Sequence, residues 1–245
     1  KLRTKQNGKP FFLSAYFASF DQTAHIYGVY SKEAARSLEK IDAMIGKMID
    51  TARAISSDEI VVCVVSDHGT LDNCYNINPN VIFAKANLIT LNEKNEVIDW
   101  KVWSQRAGGT SEIRLKNAQD TETRKKVEKI LKTLLTDENS GILQVLSHDQ
   151  CIQRGGFPQA DYALVSKKGY EIRDNVIGPY CTDQISQKAQ HGYSEEFEEM
   201  KASFMLWGKG IGKGNIGHLR LIDIAPTLAK IMGFEMQQAQ GQSLI

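Results

Sequence analysis

The stretch VVCVVSDHGT, residues 61–70, joins a candidate strand to a candidate metal site. Its first half is an apolar run rich in β-branched residues, which is typical of a strand buried in a parallel sheet. Its second half places an acid beside an imidazole, Asp67 and His68, where the strand ends. Because ligand sites of open α/β sheets lie outside the carboxyl ends of strands, both side chains are candidate ligands. A helix cap or an ordinary turn with incidental polar residues is the alternative interpretation.

The residues before this stretch predict a β-α-β arrangement. PFFLSAYF, residues 10–17, has the composition of a strand. Ser31 is a suitable N-cap for a helix whose apolar residues recur with three-and-four spacing. Those apolar residues are Leu38, Ile41, Ile45, Met48 and Ala52. With the strand predicted over residues 60–65, these segments form a βαβ unit whose crossover should be right-handed.

The middle of the chain has a different pattern, which predicts a small α+β block. Two strand candidates flank a turn at Gly108–Gly109, and an amphipathic helix over residues 123–137 precedes two more strands. We expect residues 96–175 to form an inserted α+β cap subdomain, and residues 1–95 with 176–245 to form the main α/β domain. The strands predicted from Val97 onward cover residues 97–103, 111–116, 142–146, 161–166 and 201–207.

Composition excludes several classes of protein. The 245 residues carry 30 basic and 29 acidic side chains, so nothing indicates a basic nucleic-acid surface or a polybasic membrane patch. No apolar run reaches the roughly 18 residues of a transmembrane helix. The four cysteines form no CxxC pair, which argues against a zinc ribbon or a redox motif. The chain begins with Lys rather than Met, so we expect it to be part of a longer protein.

Three of the five histidines lie in contexts that favour metal binding. His25 lies four residues after Asp21, so one helical turn would bring the two side chains together. His68 follows Asp67, and His191 precedes a glycine that lets the backbone bend close to a site. Carboxylate and imidazole are the ligands of hydrolytic zinc sites, so these residues together predict a metal site. The remaining histidines are interpreted as surface or structural residues: His148 and His218.

Four segments resemble the type I phosphodiesterase/nucleotide pyrophosphatase family of the alkaline phosphatase superfamily. FDQTAHIYG, residues 20–28, resembles the family's D-x-x-x-H-x-x-G ligand segment. VVSDHG, HGY and IDIAPTLAKIMG are similar to later elements of the family and occur in the same order. The likeness covers nearly the whole chain, more weakly through residues 90–175. It implies an α/β fold with a mostly parallel sheet sandwiched by helices, of which this chain is the C-terminal part.

The resemblance also implies a site and a reaction. Asp21, His25 and His191 would hold one zinc ion, and Asp67 with His68 would hold a second. Two-metal phosphoryl transfer would then cleave a phosphodiester or nucleotide pyrophosphate bond of a small-molecule substrate. An extracytoplasmic location, periplasmic or secreted, is implied as well, although the cysteine count does not indicate a compartment.

One part of the family pattern is missing, namely the nucleophile. In the family, a Thr or Ser nucleophile and a further Asp ligand lie upstream of the first motif, and only 20 residues precede Asp21 here. Thr23 and Thr70 lie near candidate ligands but not at the family's nucleophile position. We therefore assign no nucleophile and expect this chain alone to be inactive. The alternatives are a sister-branch sulfatase, phosphonate hydrolase or phosphomonoesterase, a non-catalytic metal-binding relative, or an unrelated α/β protein.

Overall fold

The computed structural model describes residues 11–56 and 60–245 and confirms an α/β protein. The described residues form two compact units. The first unit contains residues 11–18, 39–56, 60–67 and 202–245. The second unit contains residues 19–38 and 68–201.

Helices and strands alternate along the described residues. The helices are α1 (Ser19–Tyr27), α2 (Lys32–Ser56), α3 (Pro79–Lys85), α4 (Thr121–Thr136), α5 (His148–Gln153) and α6 (Ile224–Ile231). The strands are β1 (Val61–Val65), β2 (Leu71–Asp72), β3 (Tyr75–Ile77), β4 (Ile89–Leu91), β5 (Val97–Trp100), β6 (Val102–Ala107), β7 (Thr110–Leu115), β8 (Ile142–Ser147), β9 (Tyr162–Ser166), β10 (Tyr170–Ile172), β11 (Cys181–Thr182), β12 (Ala189–Gln190) and β13 (Phe204–Gly208). Among the described helices, none combines the length and the apolar character needed to cross a bilayer.

Helix α2 begins where the sequence predicted. The hydroxyl oxygen of Ser31 accepts a hydrogen bond from the backbone N–H of Ala34 at 3.1 Å. This bond satisfies one of the N–H groups that the first turn of a helix leaves without a partner. Ala34 and Ser37 in the first two turns are buried. The predicted cap is therefore confirmed, whereas Leu38 of the predicted apolar face is exposed and Ile41, Ile45, Met48 and Ala52 are half-buried.

The strand predicted over residues 10–17 is wrong where the structure describes it. Residue 10 lies outside the described residues, and residues 11–18 have no regular secondary structure. Phe12 and Tyr16 are exposed, with 61% and 81% of their surface accessible. A strand exists only with a hydrogen-bonded neighbour, and no described strand pairs with this segment. The prediction rested on composition alone and was therefore wrong. The described residues do not form the expected βαβ unit.

Strand β1 forms as predicted, but its neighbour runs in the opposite direction to the one expected. It pairs antiparallel with β13, with Val61 opposite Gly208 and Val65 opposite Phe204. Its first four residues are half-buried and Val65 is exposed. An apolar β-branched run indicates that a strand packs against other residues. It does not indicate whether the neighbouring strand runs parallel or antiparallel. The inference of a parallel, fully buried strand from composition was therefore wrong.

The second unit contains the main apolar core. Strands β6, β7, β9 and β8 form one antiparallel sheet in that order, and α4 packs on β8. Val127, Leu131 and Leu134 on the predicted face of α4 are almost fully buried. Asp120 caps this helix by accepting from the N–H of Thr123 at 3.0 Å. The predicted elements occur in the predicted order, except that the strand expected over residues 97–103 is divided into β5 and β6 and that α5, which was not predicted, lies between β8 and β9.

Two further predictions concern the division into domains and the direction of the strands in the sheet. The division into an inserted cap over residues 96–175 and a main domain over residues 1–95 and 176–245 stays a prediction. Strands β3 and β10 pair in parallel, whereas the other described pairs are antiparallel. The parallel sheet of the expected fold is thus represented by one pair in these residues.

Candidate metal centre

Helix α1 carries two of the predicted ligands on one face. Asp21 lies in its first turn and His25 one turn later, so His25 Nε2 is 3.4 Å from Asp21 Oδ1. Gly28 ends the helix with a φ of 97°, and its N–H donates to the carbonyl of Ala24 at 2.8 Å. A left-handed residue at this position favours glycine. The D-x-x-x-H-x-x-G spacing therefore encodes both ligands and the end of their helix.

Strands β2 and β12 bring two more histidines to this helix. The strands pair antiparallel; His191 directly follows β12, and His68 lies three residues before β2. Helix α1 is tied to β12 because the N–H of Lys188 donates to the carbonyl of His25 at 2.7 Å. A short two-stranded ladder thus positions two imidazoles beside α1.

Four of the five predicted ligands gather at this place. The rings of His68 and His191 stack with centroids 3.9 Å apart, and the centroids of His25 and His191 are 5.2 Å apart. Asp21 Oδ1 is 3.7 Å from His191 Nε2. Asp21, His68 and His191 each offer a ligand atom, and these atoms lie within 4.8 Å of one another. Donors from three separate segments therefore converge.

The hydrogen bonds of two rings orient them for a cation. Nδ1 of His25 is 2.7 Å from the carbonyl of Ala189, and Nδ1 of His68 is 3.0 Å from the carbonyl of Gly69. Because a carbonyl only accepts, each Nδ1 carries the proton and each Nε2 carries the lone pair. A carboxylate with neutral imidazoles is a donor set that zinc uses in hydrolytic sites. Zinc bonds of about 2.0–2.2 Å would draw these donors closer together.

The cluster is only partly covered by protein. The side chains of His25, His191 and Asp21 are 16%, 33% and 38% exposed. A structural zinc site is closed by four protein donors, whereas a catalytic site keeps a position open to water or substrate. The partial exposure of this cluster is typical of the second kind.

Asp67, the fifth predicted ligand, belongs to the first unit. It is exposed and follows Ser66, whose hydroxyl oxygen accepts from the N–H of Ser203 at 2.8 Å. The structure groups His68 with Asp21 and His191, whereas the resemblance paired His68 with Asp67. The distribution of the five ligands between two ions therefore stays a prediction.

The hydroxyl groups of two threonines near the cluster donate hydrogen bonds to backbone carbonyls. Thr23 Oγ1 donates to the carbonyl of Ser19 at 2.6 Å, and Thr70 Oγ1 donates to the carbonyl of Gln190 at 3.1 Å. An attacking hydroxyl needs a base or a metal to take its proton, and here backbone carbonyls hold it. These contacts agree with leaving the nucleophile unassigned.

The turn between β6 and β7 holds the backbone of His191, which the sequence did not predict. The N–H of Gly109 donates to the carbonyl of His191 at 3.0 Å. Gly108 has a φ of 77°, and a Cβ added there would lie 2.2 Å from the same carbonyl oxygen. The Gly-Gly pair predicted a turn, but no local pattern indicates which distant segment the turn contacts.

We expect Gly108→Ala to displace His191 and to weaken zinc binding about ten-fold or more, as changes behind a metal ligand commonly do. The added methyl would collide with the carbonyl of His191, and alanine in the left-handed region costs roughly 1–2 kcal/mol in addition. Competition with a chromogenic chelator measures the zinc affinity, and a thermal melt measures stability.

Gly155→Ala is the matched control for this prediction. Gly155 has a φ of 73°, and nothing lies within 4 Å of a Cβ added there. This variant therefore carries the backbone strain without the collision, and it should lose stability while keeping its zinc affinity. Indistinguishable zinc affinities for the two variants would show that the turn does not support the metal centre.

Comparison with known proteins places the chain in a family. Residues 2–194, a range that includes all five predicted ligands, match the family "Type I phosphodiesterase / nucleotide pyrophosphatase". Ectonucleotide pyrophosphatase/phosphodiesterase family member 1 from Homo sapiens is 28% identical over 69 residues, which cover 28% of this chain and 8% of that protein. The Mus musculus protein of the same name gives the same identity and coverage.

Solved structures show the same fold. Human ectonucleotide pyrophosphatase/phosphodiesterase 5 superimposes with a TM-score of 0.65 at 17% identity, covering 91% of this chain and 54% of that one. The murine protein gives a TM-score of 0.52 at 17% identity, covering 76% and 44%, with the same values for an inactive variant in complex with AMP. The fold is thus alkaline phosphatase-like, and this chain spans about half of the human structure. The chain belongs to the type I phosphodiesterase/nucleotide pyrophosphatase family.

Proposed function

We propose that the protein containing this chain is a metal-dependent hydrolase of phosphodiester or nucleotide pyrophosphate bonds. The convergence of Asp21, His68 and His191, with ligand atoms within 4.8 Å of one another, carries this proposal. The family that the chain belongs to is named for cleavage of these two kinds of bond. A cluster of donors suited to zinc in such a chain is best explained as part of a hydrolytic centre.

Two zinc ions are the proposed cofactors. One would be held by Asp21, His25 and His191, and the other by Asp67 and His68 with further donors from outside this chain. When bound, zinc supplies the Lewis acidity that polarises phosphoryl oxygens and offsets their negative charge.

The residues of this chain would bind the metal ions and orient the substrate rather than attack its phosphorus atom. The backbone carbonyls of Ala189 and Gly69 accept from Nδ1 of His25 and His68, which leaves Nε2 of each ring as the nitrogen that can bind a cation. Asp21 contributes the negative charge that partly balances a cation, and its 38% exposure leaves that side of the centre open to a substrate. This arrangement supports substrate binding at a partly covered cation.

The nucleophile is proposed to lie outside residues 1–245. The family places a Thr or Ser upstream of the first ligand motif, and the hydroxyls of Thr23 and Thr70 donate to backbone carbonyls instead. Cleavage with an internal nucleophile requires a hydroxyl that a base or a metal can deprotonate. On this proposal, residues 1–245 contribute metal ligands, and another part of the protein contributes the attacking group.

A nucleotide is the proposed small-molecule substrate. The inactive variant of the murine ectonucleotide pyrophosphatase/phosphodiesterase 5 was solved in complex with AMP, and that structure shares the fold of this chain. The similar proteins are named ectonucleotide enzymes, which supports an extracytoplasmic location for this protein.

Three chromogenic substrates test the proposed function in the complete protein. Bis-p-nitrophenyl phosphate, p-nitrophenyl phosphate and p-nitrophenyl sulfate are compared at equal zinc concentration. We expect the diester to be hydrolysed fastest, the activity to disappear after dialysis against a chelator, and added zinc to restore it. These results follow if the donors at Asp21, His68 and His191 hold a catalytic cation.

Other results of this test would assign the protein to a different functional class. A preference for the sulfate or the monoester would place it in a sister branch that shares the metal scaffold. Zinc binding without turnover of any of the three substrates, or of a dinucleotide, would identify a non-catalytic metal-binding relative.

A further inference from the structure

A buried carboxylate is linked to His191 through a chain of side-chain hydrogen bonds. Glu171, in β10, is 1% exposed, and its Oε1 accepts from Arg173 Nη1 at 2.8 Å. Burying a carboxylate costs several kcal/mol, and an apolar residue of the same size would often be no less stable than the ion pair. The use of an acid here therefore calls for an explanation beyond packing.

The first branch of this network reaches the residue before His191. Oε1 of Glu171 also accepts from Nε2 of Gln190 at 3.2 Å. The other end of that amide, Oε1 of Gln190, accepts from the backbone N–H of His191 at 3.0 Å. A carboxylate only accepts, so Glu171 holds the NH₂ end of Gln190 together with Oε1 of Gln187, which accepts from the same nitrogen at 2.8 Å, and the oxygen of Gln190 is left to accept from His191.

The second branch reaches the residue two positions after His191. Oε2 of Glu171 accepts from Nδ2 of Asn73 at 3.2 Å, and Oδ1 of Asn73 accepts from the hydroxyl of Tyr193 at 2.6 Å. The two oxygens of one carboxylate therefore hold both sides of His191.

We propose that Glu171 is a positioning residue for His191, acting through Gln190 on one side and through Asn73 and Tyr193 on the other. It sets the orientation of two amides and thereby the backbone from which the imidazole of His191 reaches the metal centre. This inference rests on the proposed metal function, because it assigns Glu171 a role in that same centre.

The test neutralises two carboxylates of the second unit, the buried Glu171 and the partly buried Asp161. Glu171→Gln keeps the shape but presents an NH₂ group, which removes the constraint on the amide of Gln190. Asp161→Asn is the matched control, because Asp161 accepts from Arg124 Nη2 at 2.7 Å and from the N–H of Leu115 at 2.8 Å. These bonds of the Asp161 carboxylate run to Leu115 and Arg124 rather than towards His191, so this variant reports the loss of an ion pair alone.

Three quantities are measured in the complete protein. They are hydrogen exchange at the His191 amide without zinc, zinc affinity by chelator competition, and the melting temperature. We expect Glu171→Gln to speed exchange at His191 and to weaken zinc binding by about ten-fold each, a typical effect of changes behind a metal ligand. Asp161→Asn should lower the melting temperature and leave the other two quantities unchanged.

The outcomes separate this inference from the proposed function. Wild-type exchange and zinc affinity in Glu171→Gln would overturn the positioning role, even in a protein that hydrolyses diesters. The expected losses in a protein that binds zinc without turnover would support the positioning role and reject the hydrolase.

A second variant keeps the inference open to refutation if Glu171→Gln does not fold. Gln190→Met removes the acceptor for the His191 amide and leaves the pair between Glu171 and Arg173 intact. Faster exchange and weaker zinc binding in this variant support the proposal. Wild-type values for both quantities reject it.

Discussion

Replacing His191 with alanine in the complete protein is expected to remove zinc and to lower phosphodiester hydrolysis by roughly a thousand-fold. The imidazole of His191 stacks on His68 at 3.9 Å and lies 5.2 Å from His25, while its Nε2 is 3.7 Å from Asp21 Oδ1. It is therefore the donor that contacts every other member of the cluster. Metal content by mass spectrometry and initial rates on bis-p-nitrophenyl phosphate measure the effect.

His148→Ala is the control for this experiment. His148 begins α5, and its Nδ1 lies 2.8 Å from the carbonyl of Ala160, a contact that secures a local turn. Its loss should lower stability and leave turnover within a few-fold of wild type. Equal losses of zinc and of rate in the two variants would contradict the assignment of His191 as a ligand.

Residues 1–245 expressed alone are expected to bind zinc but to show negligible phosphodiesterase activity. Three donors are available for one ion, and zinc usually takes about four, so a water completes that site. The second ion would have two proposed donors and should bind weakly. No hydroxyl placed for attack has been assigned among these residues, so a phosphodiester would bind without being cleaved.

The complementary measurement adds the remainder of the protein, in the same chain or as a separate polypeptide. We expect a second tightly bound zinc ion and turnover to appear together. Mass spectrometry under native conditions counts the ions, and a dinucleotide or aryl diester reports the rate. Two tight zinc ions with full activity from residues 1–245 alone would place the nucleophile inside this chain.

Features encoded by neighbouring residues were predicted correctly. Asp21 and His25 are one helical turn apart, as expected, and Gly28 follows, so this turn depends on eight successive positions. The same holds for Ser31 at the start of α2 and for the Gly108–Gly109 hairpin. Caps, helical spacing and turn residues act over a few residues, which is the range that a sequence pattern covers.

Strand pairing and long-range hydrogen bonds, which depend on a distant partner, were not predicted. The apolar run over residues 11–17 has no regular structure, and β1 acquired an antiparallel neighbour, because strands are decided by what they pair with. The bonds that link Glu171 to Asn73 and Asn73 to Tyr193 span 98 and 120 residues of the chain. An acid two residues before an arginine, as in Glu171 and Arg173, is typical of an ion pair. This spacing does not indicate that Gln190 and Asn73 also bind the acid.

The bond between His25 and the carbonyl of Ala189 spans 164 residues, and this distance has a consequence for biosynthesis. Closing a loop of that length costs about 4–5 kcal/mol of chain entropy, so the contact forms only when the intervening segments have folded. During translation, His25 leaves the ribosome long before His191 is made. On the proposed metal function, a nascent chain therefore exposes an Asp-His pair with little affinity for cations, and zinc would be captured in a late step that follows folding. A protein that acquires its ion in this order depends on the metal supply of the compartment where it matures rather than on that of the compartment where it is synthesised.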